Sequence, residues 1–568
     1  VLVTHLTPPF VESGMRQKYS RLHEEIHKAM DSGNNNISAG KWIKDQVVEL
    51  GLHRDLQLDS ISAEIYTIDE LEQLDIFIME IANEKITGAF YTMGQPYNNR
   101  DLVQTTLAVT ADQLAYNTAK KDRDKGKITT EELQNSTFLS HNYLPDARIR
   151  IEHILKNPPK NIADAPKDLQ DALEYREMLL KSTENEFNAM VNALNGGTVK
   201  PAPGGDPVLN PNVLPTGRNM YSINAEAAPD KRAWDDGKKL ANETISQYKE
   251  KYGEYPRKVS YTFWAGEFIA TQGATLAQAL WMMGVEPLRN KIGYVVDLRV
   301  VPEEELGRPR INVLVQVSGQ LRDIAGSRLQ LITEAVKLAA EQEENLYPNY
   351  VARGSVLQEK ELIEKGLTPQ QAREMAHARG FGPLNNGYST GIMSYIETSG
   401  TWDDEREIAQ GYLNNMGAFY GAEKYWGIFH PALFAAAIKE TDAIVQPRQS
   451  NTWGPVSLDH VYEFTGGLSL SIKDVTGKEP EAYMADYRNR TNRKLQLANQ
   501  AIAVETRATI LNPTFIKERM NGGEGSAQMF GKIFRNIFGW HVTRPSSMNR
   551  ELYNELYQMY INDKENLG

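Results

Sequence analysis

The feature that constrains this chain most is a change of hydrophobic period part-way along it. From about Met15 to Asp171 apolar residues recur at helical spacing, as in Leu22, Ile26 and Met30, then Leu71, Leu74, Ile76, Phe77 and Ile81. Beyond Tyr221 the pattern becomes short β-branched and aromatic runs alternating with helical stretches. Residues 259–264 read as a strand, 274–283 as a helix stopped at Gly284, 292–301 and 311–317 as strands, and 329–342 as a helix. Strand–helix–strand order predicts an α/β layer with a largely parallel sheet, because a parallel pair needs a crossover long enough to hold a helix. The expected fold class is therefore mixed α/β in four parts. Residues 1–195 are mostly helical after an initial strand at 1–10. Residues 196–220 form a Gly/Pro-rich linker or shaped loop. Residues 221–345 make the α/β domain, and 346–568 a helix-rich domain with short strands, one near 443–445, and a helical tail from Met548. The basic stretch 118–135 reads as a solvated connection between helices.

Composition removes several function classes. The chain has no Cys, which excludes disulfides, thiolate metal sites, Cys-ligated iron–sulfur clusters and Cys nucleophiles. It carries 62 basic against 74 acidic residues, a net charge of −12. A nucleic-acid binder normally shows the opposite sign, so no nucleic-acid partner is expected. No run of about 18 apolar residues suggests a membrane span. The opening VLVTHLTPPF lacks a basic n-region and reads as a strand entering a loop rather than as a signal peptide. These features suit a cytoplasmic protein, recruited to a membrane only through a partner. No Walker A sequence is present, so no intrinsic nucleotide site is expected.

Several polar constellations carry chemistry and also have plain readings. His23-Glu24-Glu25-Ile26-His27 matches H-E-x-x-H, two His on one helix face with a Glu beside them. Met30 and Gly33 stand where a metzincin needs Gly and His. Glu49 could serve as a loosely spaced third zinc ligand, but such a pattern arises readily on a solvated helix. His53-Arg54-Asp55 imitates a kinase catalytic loop, yet Ser60 replaces its metal-binding Asn. Pro203-Gly204-Gly205-Asp206-Pro207 and Pro215-Thr216-Gly217-Arg218-Asn219 make either a linker or a loop in which Arg218 clamps a carboxylate. Two further candidates, Glu267 and the Arg322-Asp323 pair, follow strands and so point to the crevice of an open sheet; the pair could equally bond to each other. His377 and Arg379 precede the Gly-rich loop Asn385-Asn386-Gly387-Tyr388. Trp453 stands in Trp453-Gly454-Pro455, close before Asp459-His460. An Asp beside a His can move protons or hold metal, although neighbours on a strand face opposite ways.

Seven tracts fall in order along nearly the whole chain: THLTPP at 4–9, PGGDP at 203–207, PTGRN at 215–219, ELGRPRINV at 305–313, VSGQLRD at 317–323, SGTWDDE at 399–405 and NP at 512–513. In this order they resemble the large-subunit family of cobaltochelatase and magnesium chelatase, CobN-like proteins that insert metal into tetrapyrroles. The resemblance implies that the chain is a portion of a longer protein. The family's Gly-Lys-His-Gly-Thr-x-Glu segment, linked to metal insertion, would stand upstream of residue 4.

Two departures from the family pattern are informative. Ala270 replaces an Arg in Gly266-Glu267-Phe268-Ile269-Ala270-Thr271. Before Glu463-Phe464-Thr465-Gly466-Gly467, a run of acidic and His residues gives way to 448–455, with Trp453, Gly454 and Pro455. A flatter, more apolar surface suits a planar porphyrin. These changes resemble the CobN-like proteins of haem-uptake operons in Bacteroidota, the HmuS group. That resemblance implies a haem dechelatase: haem as substrate, iron removed under reducing, anaerobic conditions with an external reductant, and porphyrin released. The alternatives are a cobaltochelatase large subunit working with ATPase partners, a haem carrier without chemistry, and a zinc hydrolase at His23–His27. On the tetrapyrrole reading, Arg218, Arg322 and Arg379 are expected to pair with propionates, and Tyr388 and Trp453 to form walls. Glu267, His377, Asp459 and His460 are expected to supply protons or accept metal, with the identity of any bound metal ion left open. The expected partners are the tetrapyrrole, the remainder of the longer chain, and a reductase or membrane-associated protein.

Overall fold

A computed structural model describes residues 3–384, 387–548 and 550–567. Asn385 and Asn386 of the Gly-rich loop, and Val1 and Leu2 of the expected first strand, lie outside the described residues.

The centre is an eight-stranded sheet built from β1 (Lys258–Phe263), β2 (Asn312–Val317), β3 (Gly380–Gly382), β4 (Ala418–Phe419), β5 (Ile428–Phe429), β6 (Thr441–Arg448), β7 (Glu481–Asp486) and β8 (Lys494–Leu497). Its order is β5-β4-β3-β2-β1-β6-β7-β8. The five inner strands, β3, β2, β1, β6 and β7, run parallel; β4, β5 and β8 add antiparallel edges. β1, β2 and β6 are buried along their whole length, as expected of parallel strands covered on both faces. Tyr261, Phe263, Val315 and Val445 pack into the core on one face; Leu314, Phe381, Ile444 and Met484 pack on the other. The chain builds outward from β1 to β5, then restarts on the other side of β1 at β6. The crevice between the C-terminal ends of β1 and β6 is thus the topological switch point, where open α/β sheets take their ligands.

The expected boundary at 345 passes through this sheet: β1 and β2 precede it and six strands follow. The strand expected at 292–301 is half of a hairpin, Val285–Arg289 with Val295–Val300, that stands apart from the sheet. The helix of the expected 274–283 segment, Ala274–Met282, ends before Gly284, whose φ of 69° suits a residue without a side chain.

The N-terminal third is helical. Met15–Asp31, Ile37–Glu49 and Ile68–Asn83 pack around Leu22, Ile26, Ile43, Leu74 and Ile78, and Val504 joins them from the C-terminal part. Thr67 and Glu70 form a capping box that starts Ile68–Asn83. The segment 118–124, expected as a connection, continues the helix Asn99–Asp124. The expected strand at 1–10 shrinks to Phe10–Glu12, paired with Lys85–Thr87. Pro8 and Pro9 have no N–H to give a ladder; Thr4 instead bonds to the backbone of Gly217 and Arg218, and Pro9 accepts from Gly88 N.

Candidate functional site

Beyond the C-terminal end of β6, beside the switch point, lies a cleft of about 600 Å³. Residues 448–454 form its floor, where β6 leaves the sheet. Residues 5–8, 84–87, Phe90 and Tyr91 form one side. Gly205 and Asp206 close a corner. Glu505, Phe515, Arg519 and Lys532 come from three C-terminal helices, Ala498–Ala508, Pro513–Met520 and Glu524–Thr543.

Local bonds fix each wall. Buried Asp206 accepts from Val208 N (3.0 Å), Leu209 N (2.9 Å) and Asn451 N (3.0 Å), seating the PGGDP tract on the floor loop. Gly205 has a φ of 106°, which a side chain would oppose. Wholly buried Glu186 accepts from Leu6 N (2.7 Å) and from the hydroxyls of Thr216 and Tyr91. One carboxylate thereby ties the THLTPP segment, the PTGRN tract and an aromatic wall together. Glu505 accepts from Val456 N (2.7 Å) and Ser457 Oγ (2.6 Å) under the floor loop, and burial pushes its carboxyl up against the pull of Arg448.

The cleft is both aromatic and cationic. Trp453 is 51% exposed on the floor. The exposed His5 ring stacks on Tyr91 at 5.3 Å. Buried Arg519 lies between Phe90 (4.9 Å) and Phe515 (5.4 Å), and burial lowers its guanidinium to about 10. Under the floor, Glu84 bridges Arg448 (2.6 Å) and Arg488 (2.6 Å), and Arg488 continues to Asp486 (2.7 Å). Burial opposes ionisation of Glu84, but the two guanidiniums outweigh it and hold its carboxyl low. Among the described residues, no acceptor reaches the buried Nε and Nη1 of Arg448 or the Nε of Arg519. Both guanidiniums line the cleft from below its surface, Arg448 being 5% and Arg519 3% exposed.

A family profile described as CobN/Magnesium Chelatase matches residues 1–567. The chain belongs to the CobN/magnesium chelatase family. It is 24% identical to the aerobic cobaltochelatase subunit CobN of Sinorhizobium sp over 99% of this chain and 48% of that protein. It is 29% identical to the chloroplastic magnesium-chelatase subunit ChlH of Oryza sativa subsp. indica over 67% of this chain and 27% of that one. An uncharacterized Methanocaldococcus jannaschii protein, MJ0908, is 28% identical over 87% of this chain and 41% of its own length. The fold matches the catalytic subunit of cobaltochelatase from Mycobacterium tuberculosis with a TM-score of 0.86 at 23% identity, covering 99% of this chain and 48% of that one. The chain thus spans less than half of the length of each of these relatives.

Within this CobN-type fold the residues singled out from sequence do not gather in one place. Trp453 lines the cleft. Asp459 reaches it through Lys532, 2.9 Å away, whose charge holds the carboxyl low although burial opposes this. His460 does not line the cleft. Its Nδ1 lies 2.7 Å from Glu463 Oε2, a bond that raises the imidazole's affinity for a proton. Glu463 is wholly buried in a π-helical turn, Tyr462–Gly466, and also accepts from Thr390 N (2.6 Å) and Thr390 Oγ1 (2.7 Å).

The other candidates lie away from the cleft. His377 and Arg379 precede β3 and so sit at the N-terminal edge of the sheet, opposite the cleft. Arg379 is wholly buried and bonded to Asn312 Oδ1 (2.9 Å), Gln358 Oε1 (2.8 Å) and the carbonyls of Ala376 and Ala378. It has no room for a propionate. Burial beside Arg379 lowers His377 to about 4. Arg322 shares the cleft's edge of the sheet but pairs with Asp323 (2.8 Å), which also accepts from Tyr388 (3.2 Å). Arg218 knots its own loop through the carbonyls of Asn212, Leu214 and Pro215. Glu267 is enclosed among Thr271 (2.5 Å) and Thr275 N (3.1 Å), and burial raises it to about 7.

Sequence reasoning missed His5, Glu84, Arg448, Glu505 and Arg519. A signal existed for His5, which stands inside the THLTPP tract, and for Arg448, which ends a strand. Glu84 and Arg519 lie outside the motifs, and only the packing of distant segments brings them to the cleft.

Proposed function

We propose that this chain forms the tetrapyrrole-holding part of a metal-exchange enzyme, and that the reaction is removal of iron from haem. The observation that carries the reading is the cleft beyond the end of β6, lined by an exposed Trp453 and by the cations Arg448, Arg488, Arg519 and Lys532. A cleft of about 600 Å³ lies within the roughly 300–1,000 Å³ range of small-molecule sites. A flat π-system stacks on Trp453, and a carboxylate side arm pairs with Lys532, whose side chain is 43% exposed at the cleft wall. Family membership supports the tetrapyrrole class, since CobN and ChlH are named as chelatase subunits.

The chemistry balances simply. A one-electron, low-potential reductant converts ferric to ferrous haem, which weakens the iron's hold. Two protons then replace Fe²⁺ on the pyrrole nitrogens, giving Fe²⁺ and metal-free porphyrin. His5, exposed within the cleft, is the proton donor nearest to solvent exchange, and the Asp459–Lys532 pair sets the potential at the other wall. The second reading is cobalt insertion into a corrin precursor, favoured by the similarity to CobN along 99% of this chain.

The test uses the full-length protein, anaerobically, with haem and dithionite and without ATP. Loss of the haem band with growth of porphyrin fluorescence, above a no-protein control, is the expected result. A stable haem complex without porphyrin refutes dechelation. Cobalt incorporation into a corrin precursor, dependent on ATP and ATPase partners, would establish the second reading instead.

A further inference from the structure

Outside the cleft, the H-E-x-x-H helix is not the solvated helix its sequence suggests. His23 and His27 of Met15–Asp31 face Asp75 of Ile68–Asn83 and His141 of Ser136–Asn142. Asp75 Oδ1 lies 2.6 Å from His23 Nδ1, and Oδ2 lies 3.2 Å from His27 Nε2 and 3.8 Å from His141 Nε2. The three imidazoles crowd together, with ring centroids 4.6, 4.8 and 4.9 Å apart. One candidate ligand atom from each residue lies within 4.8 Å of every other.

We propose that His23, His27, Asp75 and His141 hold one divalent transition-metal ion of the zinc class, which clamps the three helices together. Hydrogen bonds to Asp75 account for two of the rings. They leave His141 Nε2, which is buried, aimed at the carboxylate and without a hydrogen-bond partner. A cation at the centre satisfies all four donors at once. Three imidazoles and a carboxylate suit Zn²⁺, with Co²⁺ and Ni²⁺ as close competitors. A tetrahedral ion with bonds of about 2.0–2.1 Å needs its ligand atoms roughly 3.4 Å apart, so small side-chain rotations close the present spacing.

Four protein ligands leave no open position for a water nucleophile, and Glu24, the base a zinc peptidase would use, is exposed. The site is therefore structural and not hydrolytic. The expected third ligand, Glu49, is replaced by Asp75 and His141, which come from other helices. Asp75 and Glu84 are nine residues apart along Ile68–Asn83 and its cap, about 13 Å at 1.5 Å per residue. The ion would brace the helix that delivers Glu84 to the cleft. The proposal does not depend on what the cleft binds.

The test strips full-length protein with a chelator and titrates it with ZnCl₂ or CoCl₂. The expected result is one tight equivalent, a cobalt spectrum of four-coordinate type, X-ray absorption fitting three imidazoles and one oxygen, and a raised Tm. H141A and D75N should each weaken affinity more than about 100-fold, since even outer partners of a ligand contribute 10–100-fold. H27A, at the most exposed ligand, supplies a variant whose fold is least at risk, checked by circular dichroism. H153A, outside the cluster, and W453A, in the cleft, should bind zinc normally. Binding well below one equivalent, or zinc binding that survives H27A, H141A and D75N alike, overturns the proposal.

Discussion

Replacing Glu84 by alanine removes the carboxylate shared by two buried guanidiniums. Arg448 and Glu84 are 4% and 8% exposed in their side chains and 2.6 Å apart, so solvent cannot stand in for the lost partner. Breaking a buried ion pair from one side costs about 3–5 kcal/mol. Arg488 keeps Asp486 at 2.7 Å, whereas Arg448 has no other ion pair among the described residues. The loss should therefore fall near the lower limit, about 3 kcal/mol, or roughly 150-fold in the unfolding equilibrium. Urea unfolding followed by far-ultraviolet circular dichroism measures it. The double mutant E84A/R448M removes both charges and should recover at least about 1 kcal/mol relative to the sum of the single changes. A pH series adds a second readout. The folded carboxyl is held below its usual range, so its contribution is complete above the unfolded value of about 4.3. It is lost as pH falls through the folded value. E84Q should lack that acid-side loss. A cost for E84A below about 1 kcal/mol, strict additivity in the double mutant, or an unchanged acid limb in E84Q would each refute the network.

Other outcomes follow from the same geometry. On the proposed reading, W453A should weaken haem binding about tenfold while leaving urea stability unchanged, because the ring is half exposed in the cleft; absorption titration and urea unfolding check the two halves. R379A should destabilise the fold by about 3 kcal/mol or more without lowering haem affinity per folded molecule, since it strands Asn312 and Gln358 at the far edge of the sheet. E463Q should lower the pH at which His460 titrates, read by NMR of labelled imidazoles, because the Glu463 bond is the main cause of the raised value. Any stability from that pair is present below the unfolded pKa of about 6.5 and fades as pH rises through the folded value.

Position in the sheet separates the residues singled out from sequence. Trp453 follows the C-terminal end of β6 and lines the cleft. His377 and Arg379 precede a three-residue strand, Gly380–Gly382, whose direction no local pattern announces, and so lie at the opposite edge of the sheet. The His23–His27 spacing put two imidazoles on one helix face, but nothing local announced that Asp75 and His141 would join them.

The sequence by itself determined the elements with strong periodicity: the N-terminal helices, the buried runs of β1 and β2, and the helix stops at Gly33 and Gly284. These rest on short-range physics, in which period, cap and left-handed glycine act within one or two turns. It also carried, through seven ordered motifs, the family. Tertiary structure alone decided which end of the sheet opens into the cleft. It turned the THLTPP segment from a strand into a cleft wall, and it joined Glu84 to Arg448 across 364 residues of chain. Buried charges must find partners wherever the chain brings them. Their pairing is a property of the whole packing, which no local pattern encodes.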